Sequence, residues 1–406
     1  MGDSPQQEVS MSKQAWTKRR TVLRTLGAGV VGGVGMTGTA LARRGRGRGD
    51  SSIAGTNRGR GRGPRNVIEI EAKHPDNPDD DDHYIFELSA DVIEAGWTDF
   101  ILDNQSGSTH FAGMYRYTDD AVDALEARVA DDPEVDTLRE AHLAEVALPF
   151  QEAWNPYWDE QTNMLEFFDD LFEKVAPWFL AGGAIPVGGP GLTQGHHTAR
   201  TVMELEPGLH FIECYILDED GVYHTTHGMV ELFEVTEPTS NAREPTADVD
   251  VSISSTEGLE LVDSIGRPGR YRIGVTFEDN AMYSHGLGHD VHLIRLDDGV
   301  DIDEVAAWMN YLDPGADLMY RKEGALVSTS ANPGPGTWLG GVQDILPLDG
   351  SQTAYVDVSL SPGDYALVAE VPHPENAQPV DPVTFEPIGE PVSMLETFTV
   401  NPRTRR

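Results

Sequence analysis

One segment, residues 209–229, constrains the fold and the chemistry of this chain more than any other. It begins as an apolar, strand-like run at 209–213, which the turn Glu206-Pro207-Gly208 precedes. The run ends at Cys214, the only cysteine among 406 residues, so no intrachain disulfide can form. The thiol at the end of this strand is therefore available for other chemistry.

Three further side chains of the same segment can bind a metal ion. His224, His227 and Met229 follow Cys214 and offer two imidazoles and a thioether. A soft thiolate, an imidazole and a thioether suit a copper ion that cycles between Cu(I) and Cu(II). A second imidazole has to come from elsewhere in the chain, and His110 is the candidate. Because a lone cysteine is more often a small buried hydrophobe, the alternative is a fold without metal.

These residues resemble the ligand set of the cupredoxins, the blue copper proteins. The ligand loop of that family runs from a cysteine to His-x-x-x-Gly-Met, which residues 224–229 match. Its other histidine lies on an earlier strand a few residues after an asparagine, as His110 follows Asn104. The resemblance implies one copper ion bound by His110, Cys214 and His224, with Met229 as a weak axial ligand.

The spacer between Cys214 and His224 departs from the simplest members of that family. It holds nine residues, where plastocyanin-like proteins have only a few and copper nitrite reductases tolerate a comparable length. His227 is an alternative ligand, only three residues further on. We expect His224, because it keeps the family's distance to the Gly-Met pair.

The charges of the chain are unevenly distributed. The whole sequence holds 29 basic and 68 acidic residues, a net charge of −39, whereas residues 1–65 carry a net charge of +10. An acidic body of this kind stays soluble at high salt and resembles a protein of an extreme halophile. This composition predicts no nucleic-acid partner.

The N-terminal region resembles an export signal followed by a linker. Residues 1–42 contain Arg19-Arg20, a short apolar stretch and a small-residue cleavage site, as in twin-arginine signals. Residues 43–65 are rich in arginine and glycine and predict a disordered tether able to contact an acidic cell surface. No cysteine follows the signal that could carry a lipid. We therefore expect an exported, extracellular or cell-surface protein.

The remaining chain predicts an all-β fold of two tandem cupredoxin-like Greek-key β-sandwiches. The first spans 66–238, with alternating strand patterns at 66–72, 84–90 and 97–103 and another strand from His110 to about residue 117. Residues 119–181 break this pattern and predict a helical insert, because apolar residues recur there at helical spacing. The three predicted helices cover 119–130, 134–152 and 164–179.

Residues 246–401 predict a second, degenerate copy of the first sandwich. Pro362-Gly363 repeats Pro207-Gly208 at the same distance from a Thr-Ala pair. This alignment places Ala369 where Cys214 stands, so the second copy is expected to lack a copper site. It also pairs Gly182-Gly183 with Gly340-Gly341.

Two more groups of histidines are weaker metal candidates. His285, His289 and His292 cluster in the second copy, but 289 and 292 are expected on opposite faces of a strand. The pair His196-His197 is expected near the copper end of the first sandwich, more simply as exposed loop residues than as ligands.

The expected function is one-electron transfer, and the sequence predicts no enzymatic activity. Copper enzymes with two cupredoxin domains carry a histidine beside the ligand cysteine, whereas the neighbours of Cys214 are Glu213 and Tyr215. The alternative function is a copper-free secreted module for binding or for cell-surface structure.

Overall fold

The structure is a computed structural model that describes residues 66–73, 84–159, 161–238, 242–283, 288–309, 326–348, 350–371, 374–381 and 386–402. The predicted signal, the Arg/Gly-rich segment and His285 lie outside these residues. Within the described part, no helix is long and apolar enough to cross a membrane.

Nine strands form the first half of the described chain. They are β1 (Asn66–Lys73), β2 (Ile85–Leu88), β3 (Val92–Glu94), β4 (Gly96–Asn104), β5 (Gly113–Tyr117), β6 (Ala184–Gly188), β7 (Thr198–Leu205), β8 (Gly208–Glu213) and β9 (Val230–Thr236). The alternating pattern of β1 has the expected effect, because Ile68, Ile70 and Ala72 all face the core and are fully buried.

Eight strands form the second half. They are β10 (Val249–Ser254), β11 (Gly258–Leu261), β12 (Gly269–Phe277), β13 (Val291–Leu296), β14 (Thr337–Val342), β15 (Gln352–Leu360), β16 (Gly363–Val368) and β17 (Leu395–Val400). The prediction of an all-β fold with two sandwiches is confirmed.

One sheet runs through both halves. Its order is β11-β10-β12-β15-β7-β4-β1-β2, and the halves join where β15 pairs with β7 at Tyr355–Val202 and Val356–Thr201. Two smaller sheets, β3-β9-β8-β5-β6 and β14-β13-β16-β17, form the other layers. The sequence did not predict this continuous sheet, because its local patterns contain no information about pairing between distant edges.

Most strand pairings of the two halves correspond. In each half the first strand pairs in parallel with a long central strand, β1 with β4 and β10 with β12. β8 pairs with β5 and β9 in the first half, and β16 pairs with β13 and β17 in the second. The parallel pair of β3 with β9 has no counterpart among the described strands of the second half. Each half therefore forms a sandwich, and one buried apolar cluster extends through both.

The helical insert lies between β5 and β6. Its helices are α1 (Asp119–Asp131), α2 (Leu138–His142), α3 (Leu148–Trp158) and α4 (Met164–Lys174), with π-helical turns at Leu143–Ala147 and Phe179–Gly183. Thr118 caps α1, and Thr137 forms a capping box with Glu140 at the start of α2. Among the described residues of the second half, one helix, α5 (Ile302–Met309), follows β13, and a short 3₁₀ helix covers Pro374–Asn376.

The structure corrects two local predictions. The strand β6 was missed, because it has only five residues and lies between two Gly-Gly pairs, 182–183 and 188–189, in a segment that resembles a loop. The pairing of Gly182-Gly183 with Gly340-Gly341 is wrong. Gly188-Gly189 occupies the equivalent place, since both pairs have positive φ and lie at the bulge between paired strands.

Candidate metal centre

Cys214 directly follows β8, and the strand ladder determines where its side chain lies. Its backbone N–H donates to the carbonyl of Met229, which precedes β9, at 3.2 Å. The two ends of the ligand loop, residues 214–229, are therefore held together by the β8–β9 pair. The loop between them is closed by a bridge from Leu217 to Tyr223.

His110 reaches the same place from the start of β5. Its backbone pairs with Thr193 in a short bridge. The amide of Asn104 donates to the carbonyls of Ser108 and Thr193, each at 2.8 Å. This asparagine therefore holds the turn that leads into His110 against the neighbouring segment.

Three of the four predicted ligands converge. The Cys214 sulfur lies 3.7 Å from Nδ1 of His110 and 3.7 Å from Nδ1 of His224, and the two Nδ1 atoms are 3.1 Å apart. Side chains of these three residues form a group that could hold a metal ion. All three, and Met229, have 0% of their surface exposed.

The ring of His110 presents the nitrogen that a metal ion needs. Its Nε2 lies 2.8 Å from the hydroxyl of Ser106, which itself donates to the side-chain oxygen of Asn104. The hydroxyl can therefore accept the Nε2 proton, which leaves a lone pair on Nδ1, the nitrogen that faces Cys214 and His224. A partner on the other ring nitrogen is the usual arrangement for a histidine that binds a metal.

The electrostatics of Cys214 also fit a cation. Burial raises the pKa of its thiol to about 12, although the backbone N–H groups of Phe111 and Ile216 act in the opposite direction. Without a cation the thiol stays protonated over the physiological range. A metal ion would offset the cost of burying the thiolate. The donor set of one thiolate and two imidazoles suits copper.

The alternative ligand His227 turns away from this group. Its Nε2 lies 2.8 Å from a carboxylate oxygen of Asp218, and both side chains are partly exposed. Of the two candidates in the loop, the structure brings only His224 to the sulfur.

Tyr84 covers both imidazoles. Its ring stacks on His224 with centroids 3.9 Å apart and meets His110 edge-on at 5.4 Å. Tyr84 is 7% exposed and also lies 5.9 Å from the ring of His227. The sequence offered no sign of this contact, because Tyr84 is far from the ligands along the chain.

The other histidine candidates do not join the group. His196 and His197 are exposed, although their backbones pair with Asn104 and Gln194. His289 is buried but is engaged by Tyr283 and by the carbonyl of Asp279. The proposed triple-histidine cluster is not formed by its described members.

Sequence reasoning missed a second buried group, at the junction of the two halves. Asp290, His292 and Glu370 lie within ligand distance of one another and are buried. Nε2 of His292 is 2.7 Å from Asp290 and 3.3 Å from Glu370. The Tyr215 hydroxyl, next to Cys214 in the chain, donates to Glu370 at 3.0 Å.

This junction group fits a proton better than a metal ion. Nδ1 of His292 accepts the backbone N–H of Leu192 at 3.0 Å, so the ring proton lies on Nε2, between the two carboxylates. Burial lowers the pKa of His292, whereas Asp290 and Glu370 raise it overall, to about 9. A fully protonated ring would lose the hydrogen bond from Leu192, so the geometry corresponds to the neutral ring with its proton on Nε2. A metal ion at Nε2 would have to displace this proton while Nδ1 still faced a donor, in contrast to His110.

No family model matches the sequence, and no curated protein matches it. Solved structures similar to the chain include auracyanin B, with 16% identity over 39% of this chain and 94% of that chain, at a TM-score of 0.21. A copper-containing nitrite reductase from Thermus scotoductus SA-01 matches with 12% identity over 75% of this chain and 57% of that chain, at 0.18. A blue copper oxidase from Nitrosomonas europaea matches with 9% identity over 83% and 86%, at 0.19.

These similar structures are cupredoxin-like, as is the fold described above. They also correct one prediction. The expectation that this chain has no enzymatic activity is wrong, because a nitrite reductase and a copper oxidase, both enzymes, are among the similar structures. The residue beside the ligand cysteine was too local a feature to exclude catalysis.

Proposed function

We propose that this chain is a blue-copper-type electron-transfer protein with one copper ion in its first half. His110, Cys214 and His224 would bind the ion, and Met229 would be the weak axial ligand. The observation that supports this most is the convergence of one sulfur and two Nδ1 atoms within 3.7 Å in a fully buried site. Bound there, copper would supply one-electron chemistry between its Cu(I) and Cu(II) states.

The residues of the chain prepare this site before any ion binds. Asn104 and Ser106 orient His110, the β8–β9 ladder holds Cys214 beside Met229, and Tyr84 excludes water from the imidazoles. Copper bound in a site built in this way would meet ligands whose positions the chain already fixes. Little rearrangement of these residues would then accompany the gain or loss of one electron.

The test is the visible spectrum of the purified protein with added Cu(II). We expect an intense absorption from charge transfer between thiolate and copper, and we expect Cys214→Ala to abolish it. Protein that binds stoichiometric copper without colour would contradict the proposal. Protein that binds no copper would favour a copper-free secreted module.

The proposal also covers how the protein is exported, where it comes from and how its chain divides into domains. We infer a twin-arginine signal at 1–42, a basic tether at 43–65 that contacts an acidic cell surface, and a halophilic source. The sandwich at 66–238 and its degenerate copy at 246–401 would stem from a tandem duplication, which the matching strand pairings support. An N-terminal sequence of the secreted protein that begins well before residue 43 would contradict the cleavage site.

A further inference from the structure

The ligand loop has little regular structure of its own. Between β8 and β9 its internal pairing consists of the bridge from Leu217 to Tyr223 and a series of turn hydrogen bonds. Two of these involve the predicted ligands, since the N–H of His224 donates to the carbonyl of Ile216 at 2.9 Å and the N–H of Met229 donates to the carbonyl of His224 at 3.0 Å. A spacer of this length has more conformational freedom to lose on ordering than a short one. Contacts from outside the loop therefore add to these internal bonds in placing His224 and Met229.

One such contact comes from Arg139 in α2. Its Nε donates to the carbonyl of Val230 and its Nη2 donates to the carbonyl of Gly228, each at 2.7 Å. These two carbonyls flank Met229 on either side. The planar guanidinium therefore fixes the backbone on both sides of the predicted axial ligand.

A second contact comes from Gln151 in α3. Its side-chain oxygen accepts the N–H of Tyr223 at 2.8 Å, and its side-chain nitrogen donates to the carbonyl of Gly221 at 3.1 Å. Gln151 is 7% exposed. This buried amide therefore holds the residue that immediately precedes His224.

Aromatic side chains of α3 complete the contact. The ring of Tyr223 lies 5.3 Å from that of Phe150 and 5.4 Å from that of Trp154. Gly221, at φ +79°, packs so closely on Trp158 that a Cβ there would lie 2.2 Å from the indole. The loop is thus shaped to fit the surface of the insert.

We propose that the helical insert is a positioning clamp for the metal-ligand loop and acts through Arg139 and Gln151. That the positioned loop binds a metal rests on the proposed function. The ordering of the loop by the insert does not require a bound metal. In the described part of the second half, the place of the insert between β13 and β14 is taken by α5 alone, and the loop after β16 offers no thiolate.

The first test is amide hydrogen exchange in the copper-free protein. Arg139→Ala and Gln151→Leu should each speed exchange across 221–229 roughly tenfold. The first variant loses the bonds to Gly228 and to Val230 at the end of the loop, and the second loses those to Gly221, Tyr223 and Thr226. Arg139→Lys should restore part of the protection. Arg128→Ala is the matched control, since Arg128 pairs with Asp132 and Glu145 inside the insert and with no residue of the loop in its described contacts.

The outcome that overturns the clamp is exchange across 221–229 that stays at the wild-type rate in both variants. Faster exchange spread equally over the insert and both sheets would also overturn it, because that pattern reports global loosening. Since this measurement needs no metal, it can succeed even if the protein binds no copper.

The second test uses the Cu(II)-loaded protein. Arg139→Ala should weaken metal affinity by roughly 10- to 100-fold and shift the position of the visible band, as expected when a ligand loses its outer support. Arg128→Ala should change neither quantity. An unaltered band and affinity in Arg139→Ala would contradict a role of the clamp in positioning Met229.

Discussion

The two halves of the molecule have equivalent strands around the predicted metal centre but differ in the residue that follows β8 in one half and β16 in the other. Cys214 and Ala369 both follow the equivalent strand, and each donates its backbone N–H to the methionine before the last strand, Met229 and Met394. The first half surrounds this position with two imidazoles, whereas the second places a fully buried alanine there. A conserved backbone therefore supports a metal site only where the side chains converge.

The two buried clusters differ in the same instructive way. In the first, Nε2 of His110 faces the Ser106 hydroxyl, which can accept a proton, so Nδ1 can offer its lone pair to a metal ion. In the second, Nδ1 of His292 accepts a backbone N–H, and the ring proton on Nε2 lies between the carboxylates of Asp290 and Glu370. A group of possible ligands that lie close together is therefore not sufficient for a metal site. In these two clusters, the partner of the other ring nitrogen decides whether the histidine can bind a metal ion.

The largest effect we expect is from His110→Ala. It should reduce copper affinity by more than the roughly 100-fold that loss of an outer partner causes, since a direct ligand disappears. The matched variant is His289→Ala, a fully buried histidine that precedes Arg295 by six residues, as His110 precedes Arg116. Copper titration of both proteins checks this, and equal affinities would remove the distinction between the halves.

His292→Ala should have the next largest effect, on stability. It would leave Asp290 and Glu370 buried without their hydrogen-bonded partner, which costs about 3–5 kcal/mol. Urea unfolding of the metal-free protein measures this loss. A gain of stability would contradict this expectation, and loss of a second bound metal ion from the variant would show that the junction group is a metal site.

Ala369→Cys should have a smaller effect. The added sulfur would enter a fully buried position and cost about 1–3 kcal/mol through crowding. The buried imidazoles of His289 and His292 are already engaged by Tyr283 and by Asp290, so we expect no second charge-transfer band. A second band of similar intensity would mean that the sandwich itself, and not the ligand set, creates the site.

The smallest effect concerns pH. Burial, together with the charges of Asp290 and Glu370, raises the pKa of Asp344 from 3.8 to about 8. A carboxyl whose pKa is raised on folding binds its proton more tightly in the folded state, so stability falls as pH rises from about 4 to about 8.

The Asp344→Asn variant should flatten this dependence, by less than the roughly 1.4 kcal/mol per pH unit that one group can contribute. Because Asp344 is only partly buried by its surface area, solvent reduces the effect. Unfolding free energies of both proteins at pH 5 and pH 8 measure it. An unchanged slope would show that Asp344 remains ionised throughout this range.

Much of the architecture could be predicted because it depends on local patterns. The alternation in β1 and the spacing in α1 follow from which face is buried, and Pro362-Gly363 identified the position of Ala369 correctly. β6 and the pairing of β15 with β7 could not be predicted, because a short strand and a sheet edge carry no local signal.

The sequence by itself determined the donor types, since a single thiol, a His-x-x-x-Gly-Met tail and a duplicated strand pattern are all properties of the order of residues. Only the tertiary structure decided that His224 and not His227 meets the sulfur, that Tyr84 covers the imidazoles, and that Asp290, His292 and Glu370 come together. The physical reason is that a ligand is selected by the distance of its donor atom and, for His110 and His292, by the partner of the other ring nitrogen. Both depend on residues that lie up to a hundred positions or more away in the chain.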